Sequence, residues 1–387
     1  MSKFVIDKIK SLKESGIRKF FELANNYENV LSLGVGEPDF DTPWEIRKEA
    51  IDALREGKTF YTSNSGLLEL RQEISSYIFK NTNITYDPKA EIIVTVGASE
   101  AIDISLRALV TNGDEVILIS PGFVSYEPEV LMTGATPVII NLNNSNGFKI
   151  TSDLLEKYIT KKTKLVLLNY PNNPTGSVLS KEEVIDIANV IIKHDLLLLT
   201  DEIYSELTYD KKYFSFISPK GMKERTIYIN GFSKAFSMTG RRLGYLCAPV
   251  EIAKQIYKIH QFMIMSAPTI SQFGAIVALT SCEDAVISMK KEYKKRRNYV
   301  YRRLISMGLE CTIPEGAFYI FPSIKKTGLS SEDFCISLLE KEKVVVVPGS
   351  AFGESGEGYI RISYAYSLED LKEALDRLEN FIKEIIK

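Results

Sequence analysis

Residues Gly231–Gly244 read GFSKAFSMTGRRLG and directly follow an apolar, strand-like run, Thr226–Asn230. Lys234 therefore lies in a turn rich in Gly and Ser, which allows the backbone to approach a ligand closely. A lysine amine forms a Schiff base with an aldehyde, and serine and arginine side chains suit a phosphate group. We interpret the stretch as a site for pyridoxal phosphate, an aldehyde that carries a phosphate. The alternative for Lys234 is a solvated surface cation.

Two further apolar runs also end in polar residues. The run 165–168 is followed by Asn169–Gly176, and the run 196–199 is followed by Thr200–Tyr204. In open α/β sheets, ligands bind at the carboxyl ends of the strands. The three strand ends therefore predict one ligand site.

The middle of the chain alternates strand-like and helical segments, which predicts an α/β fold. We expect a large domain with a mostly parallel sheet flanked by helices, and a smaller α+β domain. Residues 1–44 are predicted to be an N-terminal segment that joins the small domain. Residues 45–283 are predicted to form the large cofactor-binding domain, and 284–387 the small C-terminal domain.

Individual elements follow from apolar spacing and capping residues. Ser99 is a predicted N-cap for a helix over 100–110, and Ser180 with Glu183 forms a capping box for a helix over 181–193. A long charged helix is predicted over 282–307. The predicted strands are 92–96, 116–119, 136–140, 165–168, 196–199, 227–229, 243–247, 317–321, 344–347 and 359–363.

Composition excludes several classes of function. The 387 residues carry a net charge of −2, so nothing favours a nucleic-acid partner. No apolar run reaches the roughly 18–20 residues that span a bilayer, and the start MSKFVIDKIKSLKESG reads as a short amphipathic helix rather than a secretory signal. The four cysteines lack a C-x-x-C pair and the two histidines lack partners at metal-ligand spacing. We expect a cytoplasmic protein with reduced cysteines, no metal and no membrane contact.

Asp201 follows a buried strand, where a carboxylate has two interpretations. It can cap the next helix, or it can keep the pyridine nitrogen of the cofactor protonated, so that the ring accepts electrons from the substrate Cα. Tyr204, three residues on, would then reach the 3-oxygen of the ring.

Other candidates also have two interpretations each. Gly97-Ala98-Ser99 begins a predicted helix, so it is either an ordinary turn or a phosphate site made of backbone N–H groups. The chain has no G-x-x-x-x-G-K-[ST] or G-x-G-x-x-G pattern for ATP or NAD.

Three further side chains also have two interpretations each. Asn173 either belongs to a rigid surface loop or contacts a ring oxygen of the cofactor, and Phe123 either packs in the core or stacks on the cofactor ring. Arg361 lies on an alternating strand, where it faces solvent or clamps a carboxylate.

Together these features resemble the class I aminotransferases of pyridoxal phosphate fold type I, over nearly the whole chain. The lysine segment fits the family pattern of a small residue, any residue, Ser/Thr/Gly/Ala and Lys. Arg242 follows eight positions after Lys234, and Gly244 two beyond. Arg241 breaks this spacing. Gly231 stands where some relatives have serine, so Arg242 is the firmer phosphate ligand and Ser233 the weaker.

The resemblance implies a role for each candidate residue. Lys234 would bind the cofactor aldehyde and shuttle a proton between the substrate Cα and C4′, and Asp201 would pair with the pyridine nitrogen. Tyr204 and Asn173 would contact the 3-oxygen, Phe123 would stack on the ring, and Ala98, Ser99, Ser233 and Arg242 would hold the phosphate.

The resemblance also implies substrate contacts and an assembly. Arg361 would clamp the substrate α-carboxylate beside Asn173, and Gly36 would let the substrate approach the backbone. Tyr61 is similar to the tyrosine that reaches the phosphate of the neighbouring subunit, which implies a homodimer with shared sites.

Within the family, Ser15–Phe20, Gly97–Asp103 and Asp201–Asp210 resemble a bacterial subgroup of aromatic or N-acetyl-LL-diaminopimelate aminotransferases. No cation or hydroxyl cluster for a distal carboxylate is evident near Ile17 and Ser99, which favours an apolar or bulky donor side chain. The implied reaction moves the amino group of an aromatic, N-acetyl-LL-diaminopimelate or aspartate-like donor to a 2-oxo acid, expected to be 2-oxoglutarate, by a ping-pong mechanism.

Two other functions remain open. One is a C–S β-lyase that uses the same cofactor and the same lysine. The other is a cofactor-binding regulatory module, which is disfavoured because the resemblance begins near residue 15 and leaves no room for a DNA-binding module.

Overall fold

The computed structural model describes residues 4–10, 12 and 16–386, except the side chains of residues 17–19 and 21. The amphipathic helix predicted for residues 1–16, the similarity in Ser15–Phe20 and the side chain of Ile17 therefore lie partly or wholly outside the described residues. Within them, one helical turn covers Asp7–Lys10.

The strands match the predicted ones closely in the first two-thirds of the chain. They are β1 (Leu31–Ser32), β2 (Ile92–Thr95), β3 (Glu115–Ser120), β4 (Thr136–Asn141), β5 (Thr163–Asn169), β6 (Leu197–Asp201), β7 (Thr226–Gly231), β8 (Gly244–Cys247), β9 (Tyr319–Ile320), β10 (Val344–Val345), β11 (Val347–Pro348) and β12 (Ile360–Ser363).

The helices alternate with these strands. They are α1 (Asp7–Lys10), α2 (Gly16–Ala24), α3 (Trp44–Arg55), α4 (Leu68–Thr82), α5 (Gly97–Leu109), α6 (Tyr126–Thr133), α7 (Ser152–Tyr158), α8 (Lys181–Lys193), α9 (Val250–Met263), α10 (Thr269–Ser281), α11 (Glu283–Ser306), α12 (Ser331–Glu342) and α13 (Leu368–Ile385).

Seven strands form one sheet in the order β2-β8-β7-β6-β5-β3-β4. Only β8 runs antiparallel to its neighbours β2 and β7, and the remaining pairs are parallel. The predicted α/β class with a mostly parallel sheet is therefore confirmed. Since β5, β6 and β7 are adjacent and parallel, their carboxyl ends meet at one edge.

Both faces of the sheet are covered, which explains why its strands are continuously apolar. Alternate residues of one strand point to opposite faces. Leu165 and Leu167 pack with Ile104 of α5 in one core cluster. Val166 and Leu168 pack with Ile187 of α8 in the other.

The second part of the fold begins along α11, the long charged helix predicted over 282–307. An antiparallel sheet with the order β11-β12-β9 follows it. Near the amino end of the chain, β1 pairs in parallel with β10, so the segment before α3 joins the later part of the chain. We retain boundaries near residues 44 and 283 as a proposal that accords with this pairing.

Two local predictions differ from the structure. Ser99 is not an N-cap, because α5 begins at Gly97 after Val96, and Ser99 lies in the first turn. The predicted strand 344–347 is two short strands in different sheets, because β10 pairs with β1 whereas β11 pairs with β12. The capping box of Ser180 and Glu183 at α8 is confirmed.

No single helix of the described residues is long and apolar enough to cross a membrane. The helices α10 and α11, joined at an 80° bend, satisfy length and composition criteria only when taken together.

Candidate active site

A cavity of about 320 Å³ opens at the edge where β5, β6 and β7 end. Every predicted site residue except Tyr61 lines it. These residues are Gly36, Ala98, Ser99, Phe123, Asn173, Asp201, Tyr204, Ser233, Lys234, Arg242 and Arg361. The fold thus gathers residues that are up to 325 positions apart into one wall, since 361 − 36 = 325.

Asp201, the last residue of β6, is a buried carboxylate with two hydrogen bonds. Its Oδ2 accepts from the Tyr126 hydroxyl at 2.8 Å, and its Oδ1 accepts from the backbone N–H of Ile203 at 3.1 Å. Burial raises the pKa of the Asp201 carboxyl, and these hydrogen bonds oppose that rise. A cationic group in the cavity would stabilise the carboxylate further. Asp201 does not cap a helix, because the next element is a short 3₁₀ turn over Ser205–Leu207.

Lys234 extends from the turn after β7 into the cavity. Its Nζ donates a hydrogen bond of 2.7 Å to the carbonyl oxygen of Gly36. Burial lowers the pKa of Lys234 to about 8; Glu37 opposes this shift and Arg361 adds to it. The interpretation of Lys234 as a solvated surface cation is therefore wrong. A substantial fraction of the amine is neutral at mildly alkaline pH, as a nucleophile requires.

The first turn of α5 forms one end of the cavity. Gly97 has a φ of +78°, and a Cβ at this position would lie 2.7 Å from Nη2 of Arg242. A Cβ at Gly244 would lie 2.6 Å from the backbone nitrogen of Ala98. Both glycines are therefore needed for the close approach of Arg242 and β8 to the helix N-terminus. Backbone N–H groups, the positive end of a helix dipole and a guanidinium together suit an anion.

Arg361 of β12 forms the opposite end and is only 2% exposed. Its Nη1 donates to Oδ1 of Asn173 at 2.9 Å, and its Nη2 donates to the carbonyl oxygen of Gly34 at 2.5 Å. Its Nε is buried without a hydrogen-bond partner. The interpretation of Arg361 as a solvent-facing residue is therefore wrong, because both faces of β12 are buried. A buried guanidinium with unused donors suits a carboxylate ligand.

Aromatic rings line the cavity between these two ends. The hydroxyls of Tyr204 and Tyr319 lie 2.9 Å apart, and the Tyr319 ring lies 4.5 Å from the Arg361 guanidinium. Phe123 packs edge-on against Tyr126, with 5.5 Å between ring centroids. Burial raises the pKa of Tyr204 well above its usual value, so its hydroxyl remains protonated.

Among the lining residues that the sequence did not predict, three support the predicted ones. Tyr126 anchors Asp201, Tyr319 covers Arg361, and Asn169 links two strand ends. The Asn169 side chain donates to the carbonyl oxygen of Asp201 at 2.8 Å and accepts from the N–H of Asn173 at 3.1 Å. The position of Asn169 at the end of an apolar run is the only sequence signal among the three.

Tyr61 is the one predicted residue outside the cavity. It is 81% exposed, and its neighbour Phe60 is 82% exposed. Within one chain, therefore, Tyr61 contributes nothing to the cavity wall.

The residues fit pyridoxal phosphate at three separate points. The N-terminus of α5 with Arg242 suits the phosphate, and the amine of Lys234 suits the aldehyde. The buried carboxylate of Asp201 suits a protonated ring nitrogen. Each of these groups faces the same cavity.

Comparisons of this chain with family models, with known sequences and with solved structures all point to one family. Residues 28–378 match the family model described as aminotransferase class I and II. YugH of Bacillus subtilis, which carries an aminotransferase name, is 51% identical over 382 residues, or 99% of each chain. A second protein of that organism, named for N-acetyl-LL-diaminopimelate amino transfer, is 48% identical and covers 97% of this chain and 95% of its own. The crystal structure of an aromatic aminotransferase from Pyrococcus horikoshii OT3 has a TM-score of 0.91 at 45% identity, covering 95% of this chain and 99% of its own.

The pKa of Lys234 predicts how the cofactor-free protein reacts with pyridoxal. Only the neutral amine attacks an aldehyde, so the rate of imine formation should rise with pH and level off above an apparent pKa of about 8. Stopped-flow absorbance between pH 6.5 and 9.5 measures this rate. Lys234→Ala is the control, and a rate that is still rising steeply at pH 9.5 would contradict a depressed pKa.

The hydrogen bond from Tyr126 predicts a pH-dependent defect in Tyr126→Phe. Without this bond the pKa of Asp201 rises, so more of the carboxyl is protonated at a given pH. We expect kcat to fall about tenfold at neutral pH, since a hydrogen bond to a charged group is worth roughly 1.5–3 kcal/mol. The deficit should grow as the pH falls.

Steady-state kinetics across pH test this prediction. Tyr228→Phe is the matched control, because Tyr228 is a buried tyrosine whose hydroxyl accepts from Asn230 at 2.9 Å outside the cavity. Equal losses in both variants would assign the effect to folding stability.

Proposed function

This chain belongs to the class I and II aminotransferases, which use pyridoxal phosphate, and we propose that it transfers the amino group of an apolar or bulky L-amino acid to 2-oxoglutarate. The donor class includes aromatic amino acids and N-acetyl-LL-diaminopimelate. The proposed mechanism is ping-pong, with the donor and then the acceptor using the same cavity. The main observation in support of amino transfer is that Lys234, with its pKa of about 8, lies in one cavity with Asp201 and Arg361.

When bound, the cofactor supplies an aldehyde for amine capture and a ring that accepts electrons from the substrate Cα. Lys234 Nζ would hold the aldehyde carbon and then move a proton between the substrate Cα and the cofactor. Asp201 would hold a proton on the ring nitrogen, and Tyr126 would keep this carboxylate ionised. Arg361 would bind the substrate α-carboxylate, which fixes the Cα next to Lys234.

Asn173 connects the substrate and cofactor ends of the cavity. Its Oδ1 accepts from Arg361, so its Nδ2 is left to donate to an oxygen in the cavity. Asn169 fixes the backbone of Asn173 through its side-chain carbonyl. The pair therefore supports both proposed roles of Asn173, towards the cofactor ring and towards the substrate.

The charges of the cavity support a donor whose side chain places no second carboxylate within this wall, so the distal carboxylate of N-acetyl-LL-diaminopimelate would lie beyond it. Among the described residues that line it, the cations are Lys234, Arg242 and Arg361, and each already has a proposed partner. An aspartate-like donor would need a further cation from outside this wall.

The exposed surface near Tyr61 supports a homodimer with shared sites. Phe60, Tyr61, Phe262 and Met263 are large apolar or aromatic side chains that are each more than 40% exposed. We propose that a second copy covers them and contributes its own Tyr61 to the phosphate end of this cavity. We also propose a cytoplasmic location, in keeping with four free cysteines of which three are buried.

A donor panel tests the proposed reaction. Phenylalanine, tyrosine, N-acetyl-LL-diaminopimelate, alanine and aspartate would be compared by kcat/KM with 2-oxoglutarate as acceptor. We expect aromatic or diaminopimelate donors to lead. Lys234→Ala should lose on the order of 10³-fold or more of the rate, whereas the exposed-lysine control Lys254→Ala should not change.

Two outcomes of the panel would contradict the proposal. A preference for aspartate would place a distal-carboxylate contact outside the described wall. Release of pyruvate from cystathionine without an oxo acid, together with no amino transfer, would favour the C–S β-lyase.

Mixing two inactive variants tests the shared site. Tyr61→Ala and Lys234→Ala would each be assayed alone at limiting cofactor, and then after co-expression. In a mixed dimer, one site combines an intact Lys234 with an intact Tyr61 from the other subunit. Random pairing should therefore restore about a quarter of wild-type activity, and no recovery would argue against a contribution from Tyr61.

A further inference from the structure

His260 of α9 and Glu100 of α5 form a buried pair directly behind the phosphate end of the cavity. Nδ1 of His260 lies 2.6 Å from Oε1 of Glu100, and His260 is fully buried. The second ring nitrogen, Nε2, lies 2.7 Å from the carbonyl oxygen of Asn64. The second carboxylate oxygen, Oε2, accepts from the backbone N–H of Val96 at 2.5 Å. Neither side chain lines the cavity.

The partners of His260 determine where its protons lie. A carbonyl oxygen only accepts, so the Nε2 that faces Asn64 carries a proton. Nδ1 and Glu100 then share one further proton. The N–H from Val96 gives the other oxygen of Glu100 a partner, so the shared proton lies between Nδ1 and Oε1. Whichever of the two atoms holds this proton, the pair carries no net charge.

This cancellation matters because of where Glu100 lies. It follows Ser99 in the first turn of α5, whose backbone N–H groups we propose as the phosphate site. An uncompensated carboxylate there would repel a dianionic phosphate and offset the helix dipole. The proton shared with His260 removes that repulsion without occupying the cavity.

The same histidine also holds the segment that carries Tyr61. Asn64 lies three residues after Tyr61, and its carbonyl is bound by Nε2 of His260. Gln272 secures the same segment, because its amide contacts Thr62 at 3.1 Å and the N–H of Leu67 at 2.8 Å. His260 is thus the link between this segment and the first turn of α5.

We propose that His260 is a positioning residue for the phosphate of the cofactor, acting by neutralising Glu100 behind the first turn of α5 and by fixing Asn64. The inference rests on the proposed function, since it takes the α5 N-terminus as the phosphate site. It assigns a role to a buried charge pair that the proposed chemistry itself does not use.

The test compares two ligands that differ only in the phosphate. Pyridoxal phosphate and pyridoxal would be titrated into cofactor-free wild type, His260→Gln, Glu100→Gln and the double variant. A glutamine at position 260 is neutral but still offers an amide N–H towards Asn64. We expect His260→Gln to weaken binding of pyridoxal phosphate about tenfold and to leave pyridoxal affinity within about twofold.

The double variant should recover most of the lost affinity, because both charges are then absent. Glu100→Gln alone should bind pyridoxal phosphate at least as tightly as wild type, which keeps the test valid if His260→Gln does not fold. His194→Gln is the matched control. His194 also pairs with a glutamate, Glu156 at 2.9 Å, but at the surface end of α8, and its loss should change neither affinity.

Four results would overturn the inference. They are equal weakening of both ligands, unchanged binding in His260→Gln, a double variant as weak as His260→Gln, and weaker phosphate-dependent binding in Glu100→Gln. Failure of the wild type itself to bind pyridoxal phosphate would instead overturn the proposed function.

Discussion

The site depends on three charged side chains around one cavity, of which Asp201 and Arg361 are buried and Lys234 is partly buried. Each charge is only partly satisfied by the protein. Asp201 has a phenol and a backbone N–H, Lys234 has one carbonyl, and Arg361 has an amide, a carbonyl and one unused buried donor. Burying an unpaired charge is unfavourable. The cavity is therefore prepared for a ligand that carries complementary charges at matching points.

The parallel sheet is what brings those charges together. Because β5, β6 and β7 are adjacent and parallel, the residues after them share one edge. Asn169 links two of these strand ends through its side chain. Gly97 and Gly244 let β8 and Arg242 approach the first turn of α5, where a side chain on either glycine would collide with them.

Arg361 joins the two parts of the fold at the site. It lies on β12, in the small antiparallel sheet, yet it bonds Asn173 from the loop after β5 and Gly34 from the amino-terminal segment. Any displacement of the small sheet would change these bonds and the position of the guanidinium. Substrate binding and the relative position of the two parts are therefore physically coupled.

The sequence alone determined the fold class and the strand ends, because continuous apolar runs followed by polar turns have few alternative structures, and its resemblance to a known family supplied the roles of eleven residues that line the cavity. Lys234, Asp201 and Arg361 were identifiable from their local context. Tertiary structure alone decided that Tyr126 supports Asp201, that Tyr319 covers Arg361, and that His260 meets Glu100 across 160 positions. It also excluded Ser99 as a cap and a solvent-facing Arg361. These features depend on which helices and strands pack together, and a tyrosine or histidine on a helix carries no local signal of the partner it will meet.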